Sequence, residues 1–266
     1  MRLITFASSS SGNCTLVSQG NTHVLIDAGI SFKRITEALR TLDLSPSDIS
    51  AVVVTHAHTD HIGGLRTMCK HVGATIFAAA PTLGGIEDHF AAATCATEVQ
   101  IGAALDLDGL EVNAFRTSHD SPGSVGYTIT YGSKKLAFAT DLGIVTPEVL
   151  DATRGATTAI IEANHDITML KNGHYPPSLK RRVLSDVGHL SNRACGDFAV
   201  ELAKSGTRRF ILAHLSQENN TPYQAETEVR AALTRGGFAV CDGELANSEI
   251  TLTVASRAHA GGLVSV

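Results

Sequence analysis

Short apolar runs and amphipathic windows alternate along this chain. Strand-like segments fall at Leu3–Phe6, Val24–Ile26, Ala51–Thr55, Thr75–Ala78, Leu110–Phe115, Val125–Tyr131, Leu136–Ala139, Thr157–Ile161 and Arg209–Ala213. Val125, Tyr127, Ile129 and Tyr131 alternate with small or polar residues, the period of a strand with one covered face. Val52–Val54 and Ile160–Ile161 are unbroken, which predicts strands covered on both faces. Helices are marked by their caps. Ser31 precedes Ile35, Leu39 and Leu42, and Ser191 precedes Ala194, Phe198, Ala199 and Leu202, with Gly206 as a stop. Thr221-Pro222-Tyr223-Gln224 reads as a capping box with proline at the first helical position, closed by Gly236-Gly237. No linker or repeat divides the strand-rich first half from the alternating second half. The pattern predicts one α/β domain over residues 1–257, layered helix/sheet/sheet/helix, and a frayed tail of small residues over 258–266.

Composition narrows the class. The chain has 266 residues, 43% hydrophobic and 18% charged, which excludes a disordered or coiled-coil protein. No apolar stretch approaches the length of a membrane span. The run Leu3–Ala7 is too short for a secretory core, so a cytoplasmic protein is expected. Cys14, Cys69, Cys95, Cys195 and Cys241 are scattered and read as reduced thiols. A net charge of −5 gives no global field for nucleic acid, so such a substrate must be held locally.

The chemistry is concentrated in the histidines. Thr55-His56-Ala57-His58-Thr59-Asp60-His61 packs three imidazoles and a carboxylate directly behind a buried strand. Alternate residues leaving a strand can point the same way, so His56 and His58 can share one metal, with Asp60 and His61 facing an adjacent position. Imidazole with carboxylate suits zinc, manganese or iron rather than calcium or a thiolate zinc site. Four residues cannot fill two sites, and three further strands end at once in His or Asp: His119, Asp141 and His214.

In order, spacing and strand-end placement, this series resembles the metallo-β-lactamase superfamily, over residues 1 to about 235. The resemblance implies a four-layer αββα sandwich and two divalent ions per chain, zinc or manganese, with iron possible. It assigns His56, His58 and His119 to one ion and Asp60, His61 and His214 to the other, with Asp141 bridging.

Several branches of that superfamily do not fit. The secreted lactamases need a signal peptide, flavodiiron proteins carry Glu where this chain has His58, and thioesterases need a C-terminal helical domain. The stretch from Asp141 to His214 is too short for the insertion of the RNA-processing nucleases. It does contain Glu162-Ala163-Asn164-His165-Asp166 and Gly188-His189-Leu190-Ser191-Asn192, which resemble the paired Glu and His elements of phosphodiesterase branches. With Ser10-Ser11-Gly12-Asn13 and Leu212-Ala213-His214-Leu215-Ser216, these look like the YycJ/WalJ group of bacterial exodeoxyribonucleases. Two features depart from that group: Ser9 stands where a glycine is usual, and the acidic balance offers no obvious DNA groove.

The resemblance implies a dinuclear-metal 5′→3′ exodeoxyribonuclease acting through a metal-supplied hydroxide, with His189 as general acid oriented by Glu162 and with Asp60 among the catalytic residues. DNA is the expected partner, with Ser10, Ser11, Gly12, Asn13 and Ser216 as its contacts. Lys180-Arg181-Arg182 and Arg208-Arg209 are weighed as phosphate contacts against an ordinary solvated helix face, the reading preferred. Phe32 and Tyr175 are the stacking candidates; His165 and His174 receive no role. The alternatives are a hydrolase of small phosphodiesters or thioesters and, from another class, a non-catalytic binding protein. A surface of the last kind has no need of seven metal ligands.

Overall fold

A computed structural model describes residues 1–89, 96–241 and 249–266. In chain order the first elements are β1 (Arg2–Ala7), β2 (Cys14–Gln19), β3 (Thr22–Ile26), α1 (Phe32–Arg40), β4 (Ala51–Val53), α2 (Thr59–Ile62), α3 (Leu65–His71), β5 (Thr75–Ala78), α4 (Ala80–His89), β6 (Ala96–Glu98), β7 (Leu105–Leu107) and β8 (Leu110–Arg116). Then follow β9 (Val125–Tyr131), β10 (Lys134–Ala139), α5 (Pro147–Thr153), β11 (Thr158–Glu162), α6 (Ile167–Asn172), α7 (Pro177–Val183), α8 (Asn192–Lys204), β12 (Arg209–Ala213), α9 (Pro222–Arg235), β13 (Val240–Cys241), β14 (Ile250–Val254) and β15 (Val264–Ser265).

The chain divides into two units. The first comprises Met1–Ala114, Ser121–Val125 and Ser256–Val266. Its sheet runs β15-β1-β2-β3-β4-β5-β6, antiparallel through β3 and parallel from β3 to β6. The core beneath it holds Ile4, Leu16, Leu25, Val52, Leu65 and Met68. α1 docks there as its period predicts. The Ser31 hydroxyl accepts from Arg34 N, and Ile35 and Leu39 are fully buried. Truncating Leu39 to alanine would cost about 2–5 kcal/mol.

The second unit comprises Phe115–Asp120 and Gly126–Ala255. Its strands run β13-β14-β12-β11-β10-β9, all parallel except β9. Parallel strands bring their C-terminal ends to one edge, where α/β sheets place ligands. The helices start where their caps predict. Ser191 Oγ accepts from Ala194 N, and Thr221 Oγ1 accepts from Gln224 N, each at 3.2 Å.

Three expectations change. β9 is buried on both faces through Ile129, because Gly126 lies against the Phe115 ring, where a Cβ would come within 2.4 Å. β4 stops at Val53, since the Thr55 amide turns away to the Asp27 carboxylate. The tail is not frayed. Arg2 pairs with Ser265 and Leu3 with Val264, Gly261 N donates to Thr5 O, and Val266 is buried. β1 would otherwise present unpaired backbone groups at a sheet edge.

Cys14 and Cys195 are free and buried, and burial pushes both thiols up, out of the nucleophilic range. Cys95 and the His89 side chain lie outside the described residues. No helix among the described residues is long and apolar enough to cross a membrane.

Candidate functional site

Each unit carries one cluster. In the first, β3 ends at Ile26 and Asp27 follows in the left-handed region, φ 61°. That conformation is uncommon outside glycine and costs strain that the surrounding interactions must offset. Asp27 is fully buried, and its Oδ1 accepts from Thr55 N at 2.8 Å. Its Oδ2 accepts from Thr55 Oγ1 at 2.9 Å and from His61 Nδ1 at 2.8 Å. Burial raises the Asp27 carboxyl above its ordinary range, and His61 and Thr55 pull it back. The Thr55 hydroxyl also lies 3.0 Å from His56 Nδ1. A hydroxyl that donates to Asp27 can accept from that ring nitrogen. Both imidazoles are thereby fixed with Nε2 left to coordinate, the usual way outer groups orient metal-binding histidines.

The donor atoms then fall in two pairs. His56 Nε2 and His58 Nδ1 are 3.1 Å apart, while His61 Nε2 and Asp60 Oδ2 are 3.5 Å apart. Imidazoles and a carboxylate facing one another at these distances fit a divalent cation. The four residues of the motif therefore come together as expected.

The serine loop between β1 and β2 is joined to the second pair by Asn13. Its Oδ1 accepts from Ser9 N, and its Nδ2 donates to Ser9 O, each at 3.0 Å. Nδ2 also lies 3.3 Å from Asp60 Oδ2 and 3.0 Å from His61 Nε2. Gly29 is required alongside, since a Cβ there would meet Asp60 O at 1.7 Å. Of the loop residues expected to touch substrate, Ser10 and Ser11 are exposed, whereas Gly12 and Asn13 are buried. Asn13 braces the metal motif.

In the second unit, Asp141 follows β10, Glu162 ends β11 and His214 follows β12. The register pairs Ala139 with Ile161 and Glu162 with Ala213, which sets all three at one edge. Asp141 and His214 both have left-handed backbones, φ 58° and 55°. Glu162 is fully buried and organises the cluster. Its Oε1 accepts from His189 Nδ1 at 2.8 Å and His214 Nδ1 at 2.9 Å. Its Oε2 accepts from Leu142 N at 3.0 Å and Leu190 N at 3.1 Å. Burial opposes the charge, but His189 and His214 outweigh it and hold the carboxyl far below its usual range.

Donor atoms of Asp141, Glu162, His189 and His214 all lie within 4.8 Å of one another. His119 Nδ1 is 3.2 Å from Gly188 O, leaving Nε2 at 3.9 Å from Asp141 Oδ1. Burial lowers the His119 pKa against the pull of Asp141, favouring the neutral, coordinating form. This donor set also fits a metal ion.

Sequence reasoning misses Asp27, although Val24–Ile26 followed by Asp repeats the strand-end signature used for Asp141. It also misses the amides that tie the second cluster's loops. Asn192 and Asn220 exchange side-chain hydrogen bonds at 2.9 and 2.8 Å, and Asn164 Nδ2 donates to His214 O. Ser216 is buried in the same loops, its Oγ accepting from Asn219 N at 3.2 Å. His165 is 1% exposed, and among the described residues neither ring nitrogen has a hydrogen-bond partner.

The basic run of α7 is largely committed to its own unit. Arg182 Nε donates to Asp120, and Lys180 Nζ donates to Lys171 O. Arg208 likewise donates to Ala203 O and Thr207 O.

Comparison with known proteins gives the family and the fold. The model of the β-lactamase superfamily domain matches residues 22–215. Exodeoxyribonuclease YycJ of Bacillus anthracis is 33% identical over 236 residues, 88% of this chain and 89% of the relative. Exodeoxyribonuclease WalJ of Streptococcus pneumoniae is 32% identical over 218 residues, 80% of this chain and 81% of the relative. Among solved structures, the metallo-β-lactamase fold protein YhfI from Bacillus subtilis superposes with a TM-score of 0.70 at 14% identity, covering 98% of each chain. With these likenesses over most of its length, and with His and Asp clusters able to hold metal, the chain belongs to the β-lactamase superfamily as a hydrolase of the metallo-β-lactamase fold, similar in sequence to the YycJ/WalJ exodeoxyribonucleases.

Proposed function

We propose that this chain is a dinuclear-metal phosphodiesterase that removes nucleotides from DNA ends in the 5′→3′ direction, in the cytoplasm. The observation that carries this reading is the grip of Glu162 on His189, 2.8 Å from carboxylate to ring. Cutting a phosphodiester expels a sugar alkoxide, and that step needs a proton donor held in place. A histidine suits the task because its ordinary pKa of about 6.5 leaves a protonated fraction near neutrality. The kinship with two exodeoxyribonucleases supports DNA as the substrate class.

In this reading His56, His58 and His119 would hold one ion and Asp60, His61 and His214 the other, with Asp141 as a ligand shared by both. Two such ions would lower the pKa of the attacking water and offset charge growing on the phosphate. The protein's own groups do the rest. Asp27 and Thr55 fix His61 and His56, Asn13 braces the Asp60–His61 pair, and Glu162 fixes His189 so that its Nε2 carries the proton for the leaving oxygen. Asp60 keeps both expected roles, ligand and catalytic carboxylate. Ser10 and Ser11 are the proposed substrate contacts in the loop.

Digestion of 5′- and 3′-labelled single- and double-stranded DNA and RNA, with Mn²⁺ or Zn²⁺ added, tests the proposal. Mononucleotides released from the 5′ end of DNA first are the expected product. Turnover of bis(p-nitrophenyl) phosphate or a thioester, with no attack on any nucleic acid, would transfer the site to a small-molecule substrate.

A further inference from the structure

The chain carries 26 acidic against 21 basic residues, yet α1 and α3 reverse that balance. Between them they carry Lys33, Arg34, Arg40, Arg66 and Lys70, and one acid, Glu37. The Lys33–Glu37 pair is loose, 3.9 Å apart with both side chains more than half exposed, and such pairs contribute little. Arg34 donates to Ala258 O. Arg40, Arg66 and Lys70 are exposed, and among the described residues no side-chain hydrogen bond or ion pair engages them.

A groove of about 510 Å³ runs along these helices, lined by Phe32, Lys33, Thr36, Glu37 and Arg40 of α1 and by Gly63, Gly64 and Thr67, so two cations and one acid face it. Lys33 and Arg40 are seven residues apart, about 10 Å along the helix axis. One phosphate cannot satisfy both, but a strand lying along the helix can. Arg66 and Lys70 are exposed on α3, the helix that carries Thr67, and add positive charge beside the groove. Phe32 lines the groove with its ring held in a parallel stack on His71, centroids 5.4 Å apart and planes at 11°. A positively charged groove with a fixed aromatic ring is the combination that binds single-stranded nucleic acid without sequence preference. Gly63, in the groove lining, is two residues beyond His61 of the metal motif in sequence.

We infer that the α1–α3 groove is a track for single-stranded DNA, holding the backbone away from the bond that is cut. The inference rests on the DNA reading above but adds a site which that reading does not require. It also answers the departure noted in the sequence, an acidic chain with no evident DNA groove: the cations that matter are gathered on two helices rather than in the α7 run.

The test is binding of a labelled single-stranded oligonucleotide by the full chain at several salt concentrations. Parent protein is compared with a Lys33→Ala/Arg40→Ala/Lys70→Ala triple variant and with Phe32→Leu. Metal content and unfolding midpoint are measured on each to exclude a folding defect. The triple variant should bind more weakly, and its slope of log K on log salt should fall by about 0.7 for each phosphate that is no longer neutralised. Phe32→Leu should weaken binding and leave the slope unchanged. If the parent cuts DNA and the triple variant matches it in affinity and slope, the groove is not the track, while the DNA reading stands. A parent that binds no DNA at low salt overturns both. Equal competition by polyglutamate at matched charge would make the groove a general polyanion site and overturn the inference.

Discussion

His61 Nδ1 and Asp27 Oδ2 lie 2.8 Å apart with both side chains wholly buried. Asp27 is not grouped with the metal donors, yet it decides which nitrogen His61 can offer. A carboxylate accepting from Nδ1–H makes Nε2 the acceptor nitrogen, which faces Asn13 Nδ2 at 3.0 Å, and holds the ring at a fixed angle. Asp27→Asn keeps the volume but removes the charge, and its amide end meets the Thr55 and His61 donors badly. Outer partners of this kind are worth about 10–100-fold in metal affinity. Competition against a calibrated chelator should show that loss for Asp27→Asn. An unchanged affinity would mean that His61 is oriented by packing alone.

Much of the site can be read from the chain because its chemistry is coded locally. His56, His58, Asp60 and His61 fall within one turn, and His119, Asp141 and His214 each follow a recognisable strand. What stays hidden depends on partners distant in sequence or on backbone conformation. The left-handed φ values of Asp27, Asp141 and His214 have no single-residue signal, since none is a glycine. Asn13 reads as a substrate contact because Ser-Ser-Gly-Asn is also an ordinary turn; only the fold brings it to Asp60, 47 residues away. β2 and β14 escape the apolar-run criterion for strands. Thr15 and Ser18 interrupt β2, and Thr251 and Thr253 interrupt β14, yet both are interior strands in which Thr15, Ser18 and Thr251 are buried. The tail is missed for a similar reason, because pairing with β1 does not depend on large side chains.

His165 predicts a pH dependence of stability. Burial, opposed only in part by Glu162, lowers its pKa from 6.5 to about 4. The folded chain keeps the ring neutral while the unfolded chain protonates it below about pH 6.5. The stability it contributes is therefore complete above pH 6.5 and is lost as pH falls from 6.5 toward 4. The full loss is on the order of 3 kcal/mol. Urea unfolding of metal-free protein across this range should show the slope, and His165→Gln should flatten it by a comparable amount. His119, also lowered, is common to both proteins and cancels in the difference. Parallel curves for parent and variant would refute the assignment.

Asp141 and His56 should differ in what their loss does to bound metal. As a proposed bridge, Asp141 neutralises and positions both cations, so Asp141→Ala should release both together. His56→Ala removes a ligand of one ion and should chiefly weaken that one. Elemental analysis of dialysed protein separates the two patterns. Retention of two ions and full activity by Asp141→Ala would rule out the bridge.

The proton-donor role of His189 makes a prediction that a ligand role does not. Its Nδ1 is committed to Glu162, and its side chain is 19% exposed, whereas His214, on the same carboxylate oxygen, is 2% exposed. One imidazole is therefore open toward solvent and the other is enclosed, as expected if one meets the leaving group and the other the metal. His189→Ala should keep its metal content while turnover of a DNA substrate falls by roughly 10²–10⁴-fold. A substrate that expels p-nitrophenolate needs no proton at that step, so it should recover much of the missing rate. Glu162→Gln should lose turnover in the same leaving-group-dependent way, and should also unfold more readily because His189, His214, Leu142 N and Leu190 N all point at its charge. Breaking a buried charged arrangement by removing one partner costs about 3–5 kcal/mol. Loss of an ion from His189→Ala, or an equal fall on both substrates, would place His189 among the ligands and leave the leaving oxygen to take its proton from water.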